Sequence, residues 1–76
     1  MTTLNELEIG KAGRVTAVNA AGRIGKRLME MGVVPGVSIR VVKTAPFGDP
    51  LEVRLLGYSL ALRRSEAAGI EIEAVA

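Results

Sequence analysis

Apolar and polar positions alternate in five short segments of this chain, each bounded by turn-forming residues. Arg14 to Val18 places Val15 and Ala17 on one side, and Val37 to Val41 does the same with Val37, Ile39 and Val41. Leu51, Val53 and Leu55 oppose Glu52 and Arg54; Tyr58, Leu60 and Leu62 alternate with Ser59 and Ala61. Ile70 and Ile72 alternate with Glu71 and Glu73. A period of two belongs to strands that turn one face to a core and the other to water. Five such strands in so short a chain predict a compact barrel rather than an open sheet.

One segment breaks the period. In AGRIGKRLMEMG, residues Ile24, Leu28 and Met31 recur at i, i+4 and i+7, the spacing of one helix face. Gly32 follows and Pro35 lies just beyond, which together mark a helix C-terminus. A second, shorter helical turn is predicted at Ser65 to Ala68, capped by Ser65 and stopped by Gly69. No repeat, linker or low-complexity tract interrupts the chain, so residues 1–76 are read as a single domain.

Composition narrows the chemistry. The apolar fraction of 49% in 76 residues is enough for a globular core and excludes a disordered chain. There is neither cysteine nor histidine, so no disulfide, no common zinc site and no Ser-His or Cys-His pair can form. An enzyme is the poorest reading. No apolar run is long enough to span a bilayer, and the N-terminus lacks the features of a signal peptide, so a cytoplasmic location is expected. The net charge of +2 is too mild to argue for nucleic acid. Phe47 and Tyr58 are the only aromatic residues, which removes the usual platform for single strands or proline-rich peptides.

The stretch TAPFGDPL joins two strand-like segments. Pro46 and Pro50 cannot donate to a ladder, Gly48 accommodates a positive φ, and Asp49 is of the type that bonds nearby backbone amides. Asp49 is therefore read as a turn residue rather than a metal or partner ligand, since hard cations need several oxygens and no other acid stands in this loop.

Four pieces occur in register: Leu28–Met31–Gly32 at the helix end, Pro35–Gly36, the turn Pro46–Gly48–Asp49–Pro50, and Leu62–Arg63–Glu66–Ala67. With the N-terminal LNELEIGKAGRV, this order resembles the FeoA family, small cytosolic proteins of bacterial ferrous iron uptake, over nearly the whole chain. Phe47 stands where the family more usually has a smaller aliphatic residue. The resemblance implies a mainly β fold, an SH3-like β-barrel of about five to six strands with one inserted α-helix. It also implies association with FeoB, the membrane permease that bears a cytosolic GTP-binding domain, and so an iron-transport accessory acting by protein–protein interaction. The alternatives are a nucleic-acid or ribosome-associated SH3-like module and a module like the SH3-like domain of iron-dependent repressors. The interleaved charges disfavour the first, and the chain has no DNA-binding part for the second.

The family's association with a transition metal raises the question of an iron site here. Ferrous sites commonly use histidine with carboxylate, and the only close acidic pairs are Glu6 with Glu8 and Glu71 with Glu73. The latter pair lies two apart on a strand, which is how a solvated strand face looks. No cofactor or metal site is assigned. Function is then expected at a docking surface. Met29 falls roughly 140° from the Ile24–Leu28–Met31 stripe, beside Gly25, and Arg23, Lys26 and Arg27 gather on another side. An adaptable Met beside a glycine gap and a basic flank makes Arg23, Gly25, Lys26, Arg27 and Met29 the candidate partner-binding residues. The competing reading has Gly25 permitting close helix packing and the basic residues forming a solvated face, although a positive flank could steer an acidic partner or membrane headgroups. Arg63 and Arg64 are a second basic candidate, more simply read as setting up the short helical turn. An exposed strand edge could pair two barrels into a weak homo-oligomer.

Overall fold

The computed structural model describes residues 2–20 and 22–74. Alternation becomes strand at each of the five predicted places: β2 Ala12–Val18, β3 Ser38–Thr44, β4 Leu51–Leu55, β5 Tyr58–Leu62 and β6 Ile70–Ala74; a sixth, unpredicted strand β1 spans Thr2–Thr3. Helix α1 spans Gly22–Glu30 and the short α2 spans Arg64–Ala67, while a 3-10 turn at Leu4–Glu6 follows β1. Ala21, where the helical pattern begins, lies outside the described residues.

Among the described residues the six strands form one antiparallel sheet in the order β1-β6-β2-β3-β4-β5. Register shifts between Val15 and Ala17 on β2 and between Val41 and Lys43 on β3 mark bulges, which sharpen the local twist and curl the sheet around its apolar face. Among the described residues the ladder does not close. β1 and β5 remain as its two edges, so the small barrel expected from strand number is a curled sheet rather than a hydrogen-bonded ring.

The alternation also predicts the core. Val15, Ile39, Val41, Leu51, Val53, Leu55, Leu62, Ile70 and Ile72 are buried, while Glu73, Arg54 and Ser59 on the opposite faces are exposed. Leu4 is fully buried as well, brought in by a 3-10 turn too short to carry a period. On β5 only Leu62 is buried. Leu60 is half-buried and Tyr58 remains 39% exposed, because an edge strand has a neighbour on one side only.

Helix α1 ends as predicted, at Gly32. The Gly32 N–H donates to the Met29 carbonyl at 3.0 Å and the Val33 N–H to the Leu28 carbonyl at 2.9 Å, a Schellman arrangement made possible by φ +95° at the glycine. Leu28 and Val33 meet beneath it, both buried. Truncating a leucine in such a position typically costs about 2–5 kcal/mol.

The inward face of α1 differs from the predicted stripe. Leu28 and Gly25 are its buried residues, whereas Ile24 is 48% exposed. At about 100° per residue the buried face is rotated by about 60° from the Ile24–Leu28–Met31 stripe toward the glycine. The reason is local: a Cβ on Gly25 would collide with the Ala20 carbonyl oxygen, so the helix makes its tightest approach on the side chain-free side. Met31 still packs partly buried against the core.

The cap of α2 also departs from expectation. Ser65 is inside the helix and exposed, and the first amides are taken by two carboxylates instead. Glu66 Oε1 accepts the Arg63 N–H at 2.8 Å, and Asp49 Oδ1 accepts the Arg64 N–H at 3.0 Å. Asp49 is thus a structural residue, but it holds a neighbouring element rather than only its own turn.

Candidate docking surface

Helix α1 presents its outer face free of the sheet. Arg23, Lys26 and Arg27 are all exposed, and among the described residues none of them forms an ion pair. Met29 is 49% exposed and borders the buried Gly25–Leu28 face on one side, as Ile24 does on the other. The result is a basic ridge with an apolar margin on each flank. Gly25 is not part of that surface. It is buried against Ala20, so of the five sequence candidates it contributes by setting how close the helix lies.

A second apolar feature adjoins the helix end and has no counterpart in the sequence reading. The turn between β4 and β5 is Leu56–Gly57, with Leu56 at φ +50° and 66% exposed. A Cβ on Gly32 would stand 2.8 Å from Leu56 Cδ1 and 3.0 Å from Tyr58 Oη, so helix end and hairpin turn touch. An exposed leucine at positive φ is unusual where Asn, Asp or Gly ordinarily sits. The sequence signal was the dipeptide Leu-Gly between two alternating runs, which reads as a turn but gives no hint of exposure.

Arg64, the alternative basic candidate, is committed elsewhere. Its Nε donates to the Gly48 carbonyl at 2.5 Å and its Nη1 to the Asn5 carbonyl at 3.0 Å. It fastens the β3–β4 loop and the N-terminal turn to the start of α2. At the tip of that loop Phe47 is 99% exposed.

The carboxylates are mostly engaged with neighbours. Glu73 pairs with Arg14 at 3.4 Å, Glu52 with Lys43 at 3.7 Å, and Glu71 accepts from the Asn19 side-chain amide. Thr3 gives both its hydroxyl, at 2.8 Å, and its N–H, at 3.1 Å, to Glu6, and these bonds hold the Glu6 carboxyl below the usual range. Among the described residues no three Asp or Glu side chains gather as a cation site would require. The surface depressions are open rather than enclosed: one of about 260 Å³ lies beside Arg40, Arg54 and Leu56, and one of about 550 Å³ beside Glu6, Leu7 and Lys11. Among the described residues no helix is long and apolar enough to cross a membrane. The exposed face of α1 remains the candidate docking surface.

Comparison with known proteins gives that surface its context. The family model described as FeoA domain matches residues 2–74. A FeoA protein from Chlorobium tepidum, solved in solution, is 41% identical with a TM-score of 0.93, over 99% of this chain and 71% of that one. The zinc complex of the Stenotrophomonas maltophilia FeoA, an SH3 domain protein, is 34% identical with a TM-score of 0.86, over 96% and 91% of the two chains. A Porphyromonas gingivalis fusion of Fe(2+) transport protein A with the Fe(2+) transporter FeoB is 42% identical over 72 residues. That match takes in 95% of this chain but only 8% of the fusion. With the family pattern spanning essentially every described element, the chain belongs to the FeoA family.

Proposed function

We propose that this protein is an accessory of ferrous iron uptake that works by binding a FeoB-type permease, and that it performs no chemistry on the ion itself. One observation carries the reading: in the Porphyromonas gingivalis fusion, a segment 42% identical to this chain is covalently joined to FeoB. Joining two proteins in one chain raises their effective concentration, which benefits proteins that work in contact.

The α1 ridge is the surface proposed for that contact. Arg23, Lys26 and Arg27 would steer an acidic patch on the partner, and Met29 would supply the adaptable apolar anchor at its margin. The test is direct mixing of the purified chain with the cytosolic GTP-binding portion of such a permease, in the nucleotide-free, GDP-bound and GTP-bound states. Association that weakens with added salt supports the reading; lack of association in every nucleotide state contradicts it.

A further inference from the structure

We propose that strand β5 pairs antiparallel with β5 of a second copy of this chain, about a two-fold axis at Leu60. The hydrogen-bond phase of the β4–β5 hairpin determines which main-chain groups of β5 point outward. Leu56 and Gly57 both have positive φ, the signature of a two-residue turn whose flanking residues, Leu55 and Tyr58, bond to each other. The phase then alternates, so Tyr58, Leu60 and Leu62 bond to Leu55, Val53 and Leu51. The far side of β4 agrees: Ala45 N–H donates to the Pro50 carbonyl at 3.1 Å, which leaves Leu51 facing β5.

Ser59 and Ala61 consequently direct their main-chain N–H and C=O away from the sheet. Both residues are exposed, and no described residue bonds to these groups. The free edge stops two residues later, where the Arg63 N–H is taken by Glu66.

Proteins ordinarily blunt such an edge with a charge, a proline or a bulge. β5, YSLAL, has no charged residue and no proline, and its ladder with β4 runs without a register shift. The opposite edge, β1, is only two residues long.

The edge is also self-complementary. With Ser59 opposite Ala61 of the second copy, and Ala61 opposite its Ser59, all four outward groups on each copy find partners. Leu60 then meets its own counterpart in the closer, non-hydrogen-bonded kind of pair, covering a side chain that the monomer leaves half-buried. Tyr58 lies opposite Leu62 of the second copy, and Arg63 opposite its Gly57, so no like charges face each other. One short strand pair is a small interface, and the dimer is accordingly expected to be weak.

The test is amide hydrogen exchange on the intact wild-type chain at dilute and at about millimolar concentration, the range suited to so small an interface. Ser59 and Ala61 amides should gain protection as concentration rises, while Leu60 and Leu62 are protected throughout. Sedimentation should show the matching shift from monomer to dimer. Ala61→Pro removes an outward N–H without touching the β4 ladder, so it should keep the monomer's thermal midpoint and weaken the dimer at least about tenfold. Exchange at Ser59 and Ala61 that is independent of concentration overturns the proposal, as does a dimer that Ala61→Pro leaves intact. Capture of an extended segment from another protein, with the chain itself monomeric, overturns it too.

Discussion

Asp49 Oδ1 accepts the main-chain N–H of Arg64 at 3.0 Å across a separation of 15 residues, and the Arg64 side chain returns to the Gly48 carbonyl beside it. Loop and helix therefore hold each other reciprocally. Asp49→Ala removes the acceptor and is expected to cost about 1 kcal/mol, the ordinary value of a helix cap. Asp49→Asn, which keeps an oxygen in place, should recover most of that. Urea titration reads both, with Phe47→Ser as a control: Phe47 is fully solvated at the same loop and should shift stability by less than about 0.5 kcal/mol.

Gly25 and Met29, four residues apart on α1, should respond in opposite ways. Gly25→Ala drives a methyl into the Ala20 carbonyl and should destabilise the fold by about 1–3 kcal/mol, the usual range for overpacking. Met29→Ala, at a half-exposed position, should be nearly neutral. Thermal unfolding separates the two; equal losses would mean that Met29 belongs to the core.

Much of this architecture is legible in the sequence, and the misses share a cause. Strict alternation placed β2 to β6, and Gly32 with Pro35 placed the end of α1, because backbone periodicity and positive φ are local properties. The facing of α1 was only partly legible: the period weighs Ile24 as apolar, while the decisive contact belongs to Gly25, whose close packing the sequence offered as one of two readings but could not choose by hydrophobicity. The cap of α2 escaped for a similar reason. Ser65 satisfied the local rule, but Asp49, distant in sequence, reached the amide first. β1 and the Leu4 turn are too short for any period to show. Of the docking candidates, the exposed basic residues were readable as such, whereas Leu56 was not, since exposure of a turn leucine depends on how the hairpin meets Gly32.

The N-terminal turn should loosen in acid. Thr3 hydrogen bonds lower the Glu6 pKa in the folded state, so their stabilising contribution is complete above the unfolded carboxylate pKa and is lost as pH falls through the depressed folded value. The Thr3 amide resonance should titrate in that acidic window and not near neutrality. Glu6→Gln should abolish the titration; a Thr3 amide insensitive to pH from neutral to strongly acidic would remove the basis for the bond.

The central claim is that this chain acts through the outer face of α1 on a FeoB-type permease. The most direct measurement is calorimetric titration of the wild type and Met29→Glu against the permease's cytosolic portion, with the fold of each checked by its amide spectrum. A folded Met29→Glu protein that binds at least about tenfold more weakly is the predicted result, since interfacial anchors of this size are commonly worth more than 1 kcal/mol. Equal affinity of the two folded proteins would contradict it.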